Sequence, residues 1–200
     1  MLRIRSSFRE RFILWVVMPL VCAVLLSCGG GGGGDDSSGL VFKCTDSPIA
    51  ANQTALLCGT KISSDTWLIQ VVLGGPTIST NIAGFDFDVL FDAADLSYVP
   101  GSAHMGTLLS QDGDDPLLLA DVANNDAGRL IVGIHRTNQP TGVQGAAAEN
   151  LVLDFCLKTN SPLSSFGPEL LHFENAEIVD SSGIPIGAMS FSDQLLLTVE

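Results

Sequence analysis

Residues Ile82 to Val99 read I-A-G-F-D-F-D-V-L-F-D-A-A-D-L-S-Y-V. Phe85, Phe87, Val89 and Phe91 fall on every second position, with Asp86 and Asp88 between them and Asp92 directly after. That is the period of a strand with one dry face and one wet face. Aromatic and β-branched side chains supply the buried area, and the carboxylates keep the opposite side in water. Leu90 interrupts the acidic side. An apolar residue there is either an isolated exposed leucine or the centre of a contact surface.

Outward from this strand the chain reads as short apolar runs separated by turn residues. Ala55 to Lys61, Trp67 to Leu73, Met105 to Ser110, Leu117 to Ala123, Arg129 to Arg136, Leu151 to Lys158, Leu170 to Val179 and Leu195 to Glu200 are the further candidate strands. Gly74-Gly75-Pro76, Pro100-Gly101 and Asp180-Ser181-Ser182-Gly183 punctuate them, and Asn124 to Gly128 is a hairpin loop. Sustained helical periodicity is missing, which argues against a parallel βαβ architecture. The expectation is all-β: an antiparallel two-sheet sandwich of about nine strands, a jelly roll.

The N-terminus has a different character. Arg3, Arg5, Arg9 and Arg11 precede the apolar run Phe12 to Leu26, and Ser27 and Cys28 follow it. This is an export signal. Leu25-Leu26-Ser27-Cys28 resembles the lipobox of bacterial lipoproteins, which implies cleavage before Cys28, lipidation of its thiol and attachment to a membrane through lipid alone. Gly29, where inner-membrane retention would favour aspartate, matches the outer-membrane pattern of that group. Six glycines and Asp-Asp-Ser-Ser-Gly form a flexible tether. The expected organisation is a signal over 1–27, lipidated cysteine and linker over 28–54, and the sandwich over 55–200.

Charge excludes one class of partner. The chain has 9 basic and 22 acidic residues; without the signal, 5 remain against 21, a net −16. Nucleic acid and anionic head groups would repel such a domain. Export also places the cysteines in an oxidising compartment. Cys44 and Cys58 are the local disulfide candidate, and a pairing that involves Cys156 is the alternative. If Leu151, Leu153, Phe155 and Leu157 face inward, Cys156 lies on the wet side of its strand.

The order of these pieces resembles the cohesin domains. In that family an early alternating aromatic strand ends in Tyr-Asp or Phe-Asp with a leucine soon after, and Phe91-Asp92 and Leu96 occupy those places. Gly128 to Val132, Leu151 to Lys158, Asn175-Ala176-Glu177-Ile178 and Gly183 before a final Leu-Thr-Val follow in similar order, so the resemblance covers Ala55 to Glu200. It implies a jelly-roll fold and recognition of a dockerin-like protein through one sheet face, with Asp86 taking part. Gly84 stands where the family often has asparagine. For Arg129 to Arg136 two registers stay open. The hydrophobic pattern sends Leu130, Val132 and Ile134 inward, whereas the family's register puts Ile134 on the binding face.

The expected function is that of a non-enzymatic binding module, with Asp86, Asp88, Leu90 and Ile134 as the partner-binding residues. The alternative is a carbohydrate-binding module for a polysaccharide. Sugar stacking needs exposed aromatics, and Trp67 and Tyr98 are the only candidates beyond phenylalanines that fit the core. Asp112, Asp114 and Asp115 around Gly113 offer hard oxygen ligands to a calcium ion, against the alternative of a solvated acidic turn. No other cofactor is expected. His104, His135 and His172 lie far apart without an HExxH pattern, and no serine-nucleophile motif is present.

Overall fold

The computed structural model describes residues 40–46, 48–75, 81–124, 128–138, 141–146, 150–192 and 195–200. The expected export signal, Cys28 and the expected tether lie outside them, as does the middle of the 124–128 loop. The described residues form twelve strands: β1 (Phe42–Thr45), β2 (Gln53–Lys61), β3 (Thr66–Leu73), β4 (Ile82–Leu90), β5 (Leu96–Tyr98), β6 (His104–Met105), β7 (Leu117–Asn124), β8 (Arg129–His135), β9 (Asn150–Thr159), β10 (Glu169–Asp180), β11 (Ser190–Ser192) and β12 (Leu195–Val199). They make two sheets, β1-β12-β10-β4-β8-β7 and β11-β2-β3-β9-β5, with β6 also on β9. All pairings between these strands are antiparallel except that of β11 with β2. No helix among the described residues is long and apolar enough to cross a membrane.

The aromatic strand sits where its alternation requires. Phe85, Phe87, Val89 and Phe91 are buried between the sheets with Ile69, Val71, Phe155, Leu130 and Val132. Phe87 meets Phe173 edge-on at 5.4 Å, and Phe173 meets Phe191 of the other sheet at 5.1 Å, so aromatic contacts join the two layers. The chain leaves β4 through Phe91, whose N–H donates to the Gly128 carbonyl. Gly128 has φ +61°, and a Cβ there would lie 1.9 Å from the Phe91 oxygen, so only glycine fits.

The sandwich starts earlier than Ala55. Phe42–Thr45, placed by the sequence in the linker, pairs with β12, and Phe42 is fully buried against Phe166 and Trp67. Cys44 and Cys58 are joined by a disulfide with Cα atoms 5.8 Å apart, which ties β1 of one sheet to β2 of the other. Cys156 is not on a wet face. The 99–102 turn folds over β9, with Val99 N–H donating to the Cys156 carbonyl at 3.0 Å and Cys156 N–H donating to Ser102 Oγ at 2.9 Å, so the residue is fully buried. The expected strand over 105–110 shrinks to His104–Met105, because the chain then turns and Gly106 and Leu108 donate singly to β9 carbonyls.

Candidate functional site

The candidate site is the outer face of β10, β4, β8 and β7. Register sets its rows: Asp86 lies between Glu177 and Gly133, with Leu119 beyond, and Asp88 lies between Glu174 and Ile131. The hydrophobic pattern gives the correct register for β8. Leu130, Val132 and Ile134 are buried, and Ile131 and His135 point to solvent. Ile134, expected at the binding face from the family's register, is therefore a core residue at 1% exposure. Ile131 takes its place, since a shift of one residue exchanges the two faces of a strand.

Asp86 is the accessible carboxylate that β4 brings to the face, beside the exposed Glu174 and Glu177 of β10. Its Oδ1 lies 2.9 Å from His135 Nε2, and both side chains are substantially exposed. Gly84 makes that contact possible. A Cβ at Gly84 would stand 2.3 Å from His135 Nδ1, so the imidazole lies across β4 only because this position has no side chain. The space that a side chain at Gly84 would take is filled by a histidine that arrives from the neighbouring strand. Gly84→Ala should swing the ring away and part it from Asp86, at a cost of about 1 kcal/mol for one hydrogen bond. Loss of the Asp86-dependent chemical shift of His135 in NMR spectra would register it; an unmoved ring would contradict this account of Gly84.

Asp88 is not the solvated residue that the alternation implies. It is 3% exposed, paired with Arg129, and accepts a hydrogen bond from Asn175 Nδ2 at 2.6 Å. The cause is a bulge in β10 between Glu174 and Glu177, where Asn175 has φ +48° and is re-aimed over β4. Asp88 acts as a positioning residue that holds Arg129 and Asn175 at the surface. Leu90, half-buried between His172 and Arg129 in the register, sits at the margin of the face.

Apolar surface concentrates on the other side. Leu117, Leu119 and Ile131 are 53%, 64% and 40% exposed, three of the seven exposed large hydrophobics among the described residues. With Asp86, Asp88, Arg129 and Asn175, Leu119 and Ile131 border a shallow depression of about 560 Å³. A low apolar patch edged by hydrogen-bonding groups suits a protein surface better than a small molecule.

A guanidinium already sits among the carboxylates of the acidic turn, which corrects its reading as a calcium site. Arg136, 1% exposed in its side chain, donates to Asp112 through Nη1 at 2.9 Å and Nη2 at 2.6 Å, and its Nε lies 3.7 Å from Asp114. The Asp114 side chain is fully buried and also accepts the Thr137 and Asn138 amides, while Asp115 stays exposed. The guanidinium thus engages two of the three carboxylates that the calcium reading offered as ligands. Hydrogen bonds from Arg136 hold the Asp112 carboxyl below the usual carboxylate range. Among the described residues the carboxylates that do converge are Asp92, Asp95 and Glu169, with ligand atoms within 4.8 Å of one another. Burial and the two aspartate charges raise the Glu169 carboxyl, although it accepts the Asp92 amide.

Every phenylalanine, tyrosine and tryptophan among the described residues is buried or half-buried. Trp67 is half-buried and donates to the Phe42 carbonyl, and Tyr98 is buried against Phe155. Among these residues, neither sheet face carries the platform a polysaccharide would stack on.

No family model matches the chain, and no curated protein is similar to it in sequence. Solved structures are similar. A type II cohesin from Bacteroides cellulosolvens superposes with a TM-score of 0.55 at 17% identity over 73% of this chain and 98% of its own. The second type II cohesin module of the ScaA adaptor scaffoldin of Acetivibrio cellulolyticus gives 0.54 at 14% identity, over 74% and 95%. The sixth cohesin of scaffoldin B from the same organism, solved in complex with a mutant Cel5 dockerin, gives 0.53 at 16% identity, over 72% and 95%. The chain has a cohesin-like β-sandwich fold.

Proposed function

We propose that this cohesin-like sandwich is a non-enzymatic recognition module, held to a bacterial envelope, in an outer-membrane setting, by a lipid on Cys28, that grips a protein partner with the outer face of β10, β4, β8 and β7. The observation that carries the reading is the contiguous exposed patch of Leu117, Leu119 and Ile131 beside the Asp86–His135 pair. The patch supplies a desolvated centre, and Asp86, Glu174 and Glu177 supply charge complementarity toward a basic partner. A dockerin-like partner is consistent with the fold. Calcium enters on the partner's side of this reading, because Arg136 fills the acidic turn here.

The chain from residue 29 onward, immobilised, is the reagent for a binding assay against purified dockerins and an extract of the native envelope, with and without calcium. Ile131→Asp and Asp86→Lys should weaken capture at least about tenfold each, the size expected of central interface residues. Leu170→Asp, on the same sheet but off the patch, should bind as the parent does. Equal capture by all variants would remove this face from consideration. Retention by a glycan array in place of any protein would favour the polysaccharide alternative.

A further inference from the structure

The sheet edges differ in length. β1, β11, β5 and β6 are edge strands of four, three, three and two residues, whereas β7 has eight and pairs only with β8. Among the described residues no loop exchanges a backbone hydrogen bond with β7. An antiparallel edge strand turns alternate N–H and C=O groups away from its one neighbour, and natural proteins usually protect such an edge with lysine, proline, a bulge or shortness. β7, L-L-L-A-D-V-A-N, contains no lysine or proline and one charged residue, in a chain of net charge −13, and its one irregularity falls at its end, between Val122 and Asn124. It also presents two of the most exposed leucines of the fold.

We propose that two copies of the chain pair antiparallel along β7, which joins their six-stranded sheets into one continuous sheet. The inference stands independently of the partner reading. Opposed residues in an antiparallel ladder point to the same side, so a strand that pairs with itself must be centred on a residue. Centring on Leu119 sets Leu119 against Leu119 of the second copy, Leu118 against Ala120 and Leu117 against Asp121. Leu118 and Ala120 both pack toward the core, and Leu117 and Leu119 both face out, so each face continues across the junction. No like charges are opposed in this register, and none of the other edge strands offers a second copy a comparable length of backbone. The two-fold axis runs normal to the sheet, so both candidate partner faces lie on the same side and a tethered pair would be bivalent.

Sedimentation equilibrium of the chain from residue 29 onward, over a concentration series, tests this. The parent should move from monomer to twice that mass as concentration rises. Leu119→Lys places two ammonium groups face to face on the axis and should stay monomeric, with the parent's melting temperature at concentrations where the parent too is monomeric, because Leu119 is exposed. Leu170→Lys, at another exposed leucine, should dimerise as the parent does. Oxidised Leu119→Cys should run as a covalent dimer. A parent that stays monomeric throughout, or Leu119→Lys that still dimerises, overturns the proposal.

Discussion

Replacing Arg136 with alanine is expected to cost about 3–5 kcal/mol of folding stability, the usual consequence of removing one member of a buried ion pair. Arg136 lies just after β8, its N–H anchored on the Ala83 carbonyl, and its Nη1 also donates to the Leu109 carbonyl at 2.6 Å. Its loss would leave the fully buried Asp114 carboxylate with two backbone amides at 3.3 Å and no countercharge. Lysine at this position keeps the charge but not the planar fork, so Arg136→Lys should recover part of the loss. The pH dependence has a definite sign. The Asp112 carboxyl is lowered in the fold by its hydrogen bonds from Arg136, so its contribution is complete above the unfolded value of about 3.9 and is lost as pH falls through the folded value. The gap between parent and Arg136→Ala in urea melts should therefore be widest near neutrality and narrow on acidification. A constant gap across that range would contradict the assignment.

Removing the disulfide should cost about 3 kcal/mol. The bridge closes a loop with a sequence separation of 14 between Cys44 and Cys58, and the chain-entropy model gives that value for a loop of about 15 residues. Its position decides what fails first. β1 is held by one neighbour, β12, so without the bridge the β1 edge should open before the rest and expose Phe42, against which Trp67 and Phe166 pack. Cys44→Ser with Cys58→Ser should show the loss in denaturant unfolding, together with a shift of Trp67 fluorescence toward that of exposed indole. An unchanged midpoint would mean that β1 is held by packing alone.

Much of the fold was legible in the central strand. Phe85, Phe87, Val89 and Phe91 have no second arrangement that buries all four rings and branches on one side, so the alternation fixed the strand's faces. The same rule placed Leu130 and Val132 inward in β8 and removed Ile134 from the interface. What stayed hidden depends on contacts distant in sequence. Asp88 alternates like a wet residue, and only the β10 bulge at Asn175, 87 positions away, covers it. Arg136 reaches the acidic turn across 24 positions, a pairing that composition around Asp112 does not reveal. Cys156 obeys the period of β9 but lies under a turn from another segment. β1 escapes a sequence reading because four residues are too few to show a period beside a polar linker. His135 carries one usable signal: it follows Ile131 and Gly133 on the outward side of β8. Its partner across the ladder, Gly84, could be assigned only from the register, and that pairing is what gives the ring its room.

Hydrogen exchange of the chain alone and in complex with whatever protein it captures addresses the recognition face most directly. The account predicts slowed exchange in the outward-facing segments of 84–90, 117–120 and 129–135, with the β2–β3 sheet unchanged. Protection confined to β2 and β3, with those segments unaffected, would contradict it.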